Sequence, residues 1–293
     1  GAGQQFPALN VTRPMKSPLI NSYEGKILRF ALSDTCSGSG NQRWIPDSNP
    51  YNNVAPIVGK SAVWSIGMRN NQGFAYNAAQ NILYGSSHGA FSDDEINIIE
   101  PFKHYGHPFV QGYAADGNYN GNSATGTPTS ISAGAPWGSG LSASSTCPPI
   151  GNETTRMNDI NTNAATLGAY QDPIYSAYPG PSSGPGSVAD IWGATTTPNN
   201  ATWHSEGWSG LDYYSGTVIP GWKNTLLAAG LKWGRTIRLK LNDAGTAVVK
   251  TIPSLPSPQS DTVTFFQSAN RYRDIAFSPN GRDIYLSMDR SAA

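Results

Sequence analysis

Two segments far apart in the chain share one layout: QGFAYNAAQNILYGSS at 72–87 and RDIAFSPNGRDIYLSM at 273–288. Each reads as a strand, a tight turn and a second strand, with an aromatic in each arm. SPNG supplies the hairpin turn of the second. Around them short runs rich in β-branched and aromatic residues recur between turn residues, at 25–32, 62–68, 73–79, 81–87, 95–100, 211–216, 224–231, 235–242, 246–252, 263–268, 274–279 and 283–289. These runs are too short for most helices and alternate as strands do. A strand-hairpin unit that returns at a distance is the sequence sign of a β-propeller. A β-sandwich is the alternative, but it does not by itself predict the echo.

Composition narrows the class. Charged residues make up 13% of 293, about half the usual share, and the formal net charge is zero. Gly, Asn, Ser, Thr and Pro take up the difference, which favours a loop-rich extracytoplasmic β protein over a polar cytosolic one. Zero net charge argues against nucleic acid or an anionic membrane as the main partner. No apolar stretch is long enough to cross a bilayer, and the opening GAGQQFPALN has no signal-peptide pattern. Cys36 and Cys147 both lie in turn-like sequence, so a disulfide between them is expected in an oxidising compartment. The sequons at Asn10, Asn152 and Asn200 are no more than so much Asn, Ser and Thr produces by chance. Residues 117–200 are nearly apolar-free over their first part and predict a loop-rich insertion within one domain covering 1–293, with no helix longer than about ten residues.

The cations next to apolar runs carry the chemistry: Arg69 in SIGMRNNQG, Lys232 in AAGLKWG, and Arg271 and Arg273 in NRYRD. In a regular strand residues two apart share a face, so Arg271 and Arg273 would repel each other. Either each pairs with a local carboxylate such as Asp274 or points to solvent, or together they hold something anionic and planar. Asp93, Asp94 and Glu95 crowd the start of another strand. They read as capping carboxylates in a solvated turn or as part of a hard-cation site.

Taken together GKILR, SIGMRNNQGFAY, SDDEINII, HYGHPFVQGY, GWKNTLLAAGLKWG and NRYRDIAFSPNGRDIYL resemble the soluble PQQ-dependent glucose/sorbosone dehydrogenases, in order and approximate spacing along almost the whole chain. The resemblance implies an all-β, six-bladed propeller with pyrroloquinoline quinone (PQQ), a flat orthoquinone with three carboxylates, on its top face. It implies that Arg271, Arg273, Lys232, Asn70 and Ser205 contact PQQ, and that Arg69 lies near the quinone oxygen that gathers charge. It implies calcium at the backbone carbonyls of Gly89 and Ala90, and a second calcium drawing on Glu95, Tyr105, Gln111 and Tyr113. The carboxylate expected next is shifted to Asp116, and a later Glu has no clear counterpart. His88 stands where a glutamine is expected. The family's general-base histidine would lie ahead of GKILR, and His88, His104, His107 and His204 are not at its position. The chain therefore reads as the later two-thirds of the family domain, completed by an N-terminal segment or second chain. By itself it is expected not to oxidise sugars. The expected activity of the whole is oxidation of an aldose at C1, in the periplasm or outside the cell. The rival from another class is a non-catalytic extracellular propeller that binds or assembles; a lectin-like surface in the Trp- and Gly-rich loops is a third.

Overall fold

The computed structural model describes residues 17–32, 40–89, 92–117, 119–120, 152–178, 205–249 and 263–289. Cys36, Cys147, Ala90 and His204 lie outside them, and with them the expected disulfide. The structure is mostly β-sheet with few helices, as the run lengths predict. It divides into two compact units, one built from 17–70 and 100–172, the other from 71–99, 173–178 and 205–289. Among the described residues no helix is long and apolar enough to cross a membrane.

The first unit carries the short pairs β1 (Ile27–Leu28) with β2 (Val63–Ser65) and β6 (Lys103–His104) with β7 (Ala169–Tyr170). GKILRFAL thus yields two strand residues rather than a full strand. The unit also holds the helices α1 (Glu153–Thr162) and α2 (Ala164–Leu167). Both lie within 117–200, and the longer has ten residues. α1 has few apolar residues to announce it, only Met157 and Ile160 packing on Phe109, Val110 and Ala114. Its start is made by capping: Asn152 Oδ1 accepts from Thr155 N at 2.9 Å, so one sequon asparagine is a helix cap. Glu153 is fully buried and accepts from Gln111 N at 2.9 Å and Tyr119 N at 3.1 Å.

The second unit holds β3 (Asn71–Asn77), β4 (Ile82–Ser87), β5 (Asp94–Ile98) and β8 (Tyr175–Ala177) in one four-stranded antiparallel sheet. A second such sheet is β9 (Trp208–Tyr214), β10 (Thr225–Gly230), β11 (Arg235–Lys240) and β12 (Val263–Phe265), each strand beside the next in sequence. β13 (Arg271–Phe277) and β14 (Ile284–Asp289) form a hairpin. The echo is real in three dimensions. β3–β4 and β13–β14 each break register once at matching places, between Asn71 and Gly73 and between Tyr272 and Asp274.

β9 lies between β3 and β13, all three entering at the same end. Gly73 and Gly210 make that packing possible. A Cβ on Gly73 would stand 2.5 Å from the Ser209 carbonyl, and one on Gly210 would stand 2.5 Å from Asp274 Cα. Hydrogen bonds finish the seam: Ser86 Oγ donates to Ser209 O at 2.8 Å, Ser209 Oγ to Tyr272 O at 2.7 Å, and Phe277 N to Asp212 Oδ2 at 2.8 Å. Between the sheets Tyr84, Ile96, Trp208, Leu226 and Leu239 are fully buried in one core, and Tyr214, Leu227, Tyr272 and Ile275 are buried in another. Gly210→Ala is expected to destabilise the chain by about 1–3 kcal/mol, because the new methyl meets the backbone of Asp274 as well as its carboxylate, and the backbone cannot swing aside. Urea unfolding checks this, and an unchanged midpoint would show that the two strands can separate at no cost.

Candidate functional site

The sequence-predicted site residues of the second unit follow one continuous hydrogen-bonded belt, at the end where β3, β9 and β13 begin and β4, β10 and β14 finish. It starts at Gly89, which packs so closely on Ser92 and Asp93 that no side chain fits there. Gly89 N donates to Asp94 Oδ1 at 3.0 Å. The other oxygen of Asp94 accepts from Ser205 Oγ at 2.6 Å, Glu206 N at 2.6 Å and Gly207 N at 3.0 Å. Next, Lys232 N donates to Glu206 O and Leu231 N to Gly207 O, each at 3.0 Å. The turn carrying Lys232 then rests on the segment leading to Arg271: Ser268 N donates to Gly234 O at 2.7 Å. A Cβ on Gly234 would lie 2.5 Å from Asn270 O.

The three acids of SDDE are buried, Asp93 at 0%, Asp94 at 1% and Glu95 at 8% exposure, so they are not the solvated turn that was one of two readings. Asp93 accepts from Ser92 Oγ at 2.5 Å and Ser176 Oγ at 2.9 Å, and Glu95 accepts from Asn97 Nδ2 at 2.9 Å. Each of the three carboxylates has at least one defined donor, which is what makes burial of three acids tolerable.

Lys232 is half-buried, and burial lowers its pKa, against the opposing charges of Asp94 and Glu206. Its Nζ lies 4.9 Å from the Trp233 ring centroid. Glu206, which sequence reasoning missed, is the hub beneath it. Tyr178 Oη donates to Glu206 Oε1 at 2.7 Å and Arg235 Nε to Oε2 at 3.0 Å, with a further contact of the Arg235 guanidinium to Oε1.

Arg271 and Arg273 take the local-carboxylate option, with Asp289 rather than Asp274. Arg271 forks onto it, Nε to Oδ1 at 2.9 Å and Nη2 to Oδ2 at 3.1 Å, and Arg273 Nε donates to Oδ2 at 2.7 Å. Asp274 instead accepts from Ile275 N at 2.9 Å, against Gly210. Two guanidiniums on one carboxylate leave a net positive group, so the pairing does not use up their charge.

Arg69 and Asn70 belong to the first unit and lead directly into β3 in sequence. The segment before them is fixed on both sides: Gly67 N donates to Ser17 O at 3.3 Å and Met68 N to Gly25 O at 3.0 Å, while His107 N donates to Gly67 O at 2.9 Å. Gly67 has φ +76°, and a Cβ there would meet His104 Nδ1 at 2.5 Å. His104 is fully buried and its pKa falls to about 3, chiefly by burial and then by the Lys26 charge. Burial, with Arg69 next in weight, holds His107 well below the usual histidine value; its Nδ1 pairs with Gln111 Nε2 at 2.9 Å. Tyr105 Oη accepts from Glu100 N at 2.9 Å. Tyr105, Gln111, Tyr113 and Asp116 lie in this unit and Glu95 in the other. Among the described residues no three His, Cys, Asp or Glu side chains cluster as metal ligands.

The sequence pattern described as "Glucose / Sorbosone dehydrogenase" matches residues 15–157. Quinoprotein glucose dehydrogenase B of Acinetobacter calcoaceticus is 30% identical over 283 residues, 92% of this chain and 48% of that protein. The chain belongs to the glucose/sorbosone dehydrogenase family. An aldose sugar dehydrogenase of Escherichia coli is 38% identical over 112 residues, 38% of this chain and 27% of the relative. The chain spans about half the length of the Acinetobacter relative. A crystal structure of glucose dehydrogenase aligns over 99% of this chain and 56% of its own, with a TM-score of 0.54 and 21% identity. At that identity the likeness speaks for this family member's fold alone.

Proposed function

We propose that this glucose/sorbosone dehydrogenase-family chain holds PQQ at the belt described above and takes part in oxidising an aldose at C1. The single observation that carries the reading is the net positive, partly exposed pair Arg271–Arg273, joined through Gly234 to Lys232 and through Glu206 to Ser205. The donors fit a planar tricarboxylate: guanidinium forks for carboxylates, an ammonium, and a hydroxyl. The two sheets and the hairpin are read as blades of a six-bladed propeller, with 1–293 as one domain of it. When bound, PQQ supplies the hydride acceptor and a calcium at Gly89 and Ala90 a Lewis acid. The chain's own part is binding and charge stabilisation. Arg271, Arg273 and Lys232 anchor carboxylates, Asn70 and Ser205 orient, and Arg69 places positive charge where the oxygen becomes anionic. A calcium drawing on Glu95, Tyr105, Gln111 and Tyr113, an N-terminal segment or second chain completing the cleft, and a periplasmic or extracellular location belong to the same reading.

The test is dye reduction with aldoses, PQQ and calcium supplied. Expected is no reduction by the chain alone and, with the completing N-terminal segment added, reduction that requires both the quinone and the sugar and falls at least tenfold in Arg271→Ala, the scale of one charge-assisted hydrogen bond. Bound PQQ with no aldose-dependent reduction even after that addition would favour a non-catalytic binding module instead.

A further inference from the structure

We propose that Asp289 is a positioning residue for the cofactor site, holding Arg271 and Arg273 as one rigid pair of forks; this rests on the reading of that site as the PQQ anchor. Asp289 ends β14 directly across from Arg271 in the hairpin register. The break in register after Tyr272 inserts one extra residue on β13, as a bulge does, and that residue is Arg273. The insertion brings both guanidiniums to one carboxylate. Asp289 is held below the ordinary carboxylate range, first by the Arg273 hydrogen bond and also by Arg271. A guanidinium has five N–H donors. Arg271 spends two on Asp289. Arg273 spends its Nε–H and sets Nη2 2.5 Å from the same oxygen. The remaining donors of both, on side chains 38% and 42% exposed, stay available to an anion.

Two effects oppose each other when Asp289 is removed. Charge alone would make the site more attractive to an anion. Loss of the anchor sets two long, mutually repelling side chains loose, and each must then be immobilised by the ligand. Between partly exposed groups the Coulomb gain is screened by water and salt. The ordering cost is not, so positioning wins.

PQQ titration of the 293-residue chain in calcium, followed by fluorescence or calorimetry, decides it. Asp289→Ala is expected to weaken binding about tenfold although it raises the positive charge, the cost of immobilising two rotamer-rich side chains. Asp289→Asn, which keeps an acceptor, should recover part of the loss. In an Arg271→Ala/Arg273→Ala background, Asp289→Ala should change affinity no further, because the residue acts through those two. The melting temperature should hold within a few degrees. Equal or tighter binding by Asp289→Ala would overturn the proposal, as would an undiminished effect in the arginine-free background. Wild-type protein that binds no PQQ would sink the cofactor reading as well; wild-type binding with an unaffected Asp289→Ala sinks the positioning role alone.

Discussion

Asp94→Ala is expected to cost about 3–5 kcal/mol of folding stability, the largest loss from any single side chain of the belt. The change strips the acceptor from Gly89 N, Ser205 Oγ, Glu206 N and Gly207 N together. Each buried donor left without a partner costs about 1–3 kcal/mol, and water admitted into the gap returns part of the sum. For a chain of this size that corresponds to a fall of roughly 5–8 °C in melting temperature. Asp94→Asn should cost less. It keeps one oxygen for the three donors at 205–207 and turns an amide toward Gly89 N, so a single contact becomes unfavourable. Thermal melts of the two variants check both size and order. A wild-type melt for Asp94→Ala would mean that the 205–207 segment is held by something other than this carboxylate.

Glu206→Ala is the second large effect, expected at about 3 kcal/mol. The carboxylate side chain is 2% exposed and its partner Arg235 22% exposed, so removing the acid strands a mostly buried cation and the Tyr178 hydroxyl. Breaking such a pair from one side typically costs 3–5 kcal/mol, and the partial exposure of Arg235 places this case at the lower end. Replacing both partners by apolar residues of similar volume, Glu206→Leu with Arg235→Met, should recover most of the loss. Denaturant unfolding of the single and double variants is the check. A double variant no better than Glu206→Ala would show that the acid matters through the backbone of the 205–207 turn rather than through Arg235.

The parts of the fold and site legible in the sequence are those set by neighbours in the chain. The two echoing hairpins could be read because each strand, its turn and its partner lie within sixteen residues, and Gly281 at φ +70° closes the SPNG turn as its type requires. Lys232, Arg271 and Arg273 could be read because a cation at a strand end, in a chain with few charges, stands out locally. Their partners could not. Asp289 looks like the polar end of its strand, and only the register of β13 against β14, with its one break, brings it to both arginines. Asp94 meets Glu206 and Gly207 112 and 113 positions away, a pairing no local pattern encodes. Glu206 reads as one more acid in a polar turn until β11 places Arg235 over it. α1 escaped for the opposite reason: ETTRMNDINT has too thin an apolar face to announce a helix, and the Asn152 cap that starts it looked like a chance sequon.

The central claim is that the cations of the belt hold PQQ. It is tested most directly by titrating PQQ into the wild-type chain and into Lys232→Ala/Arg271→Ala/Arg273→Ala, in calcium, with affinity and stoichiometry read by calorimetry. The expected result is saturable binding of one PQQ per chain, weakened at least 1,000-fold in the triple variant, since each charge-assisted hydrogen bond contributes about 1.5–3 kcal/mol. Wild-type protein that shows no saturable binding, or a triple variant that binds as tightly as wild type, would contradict it.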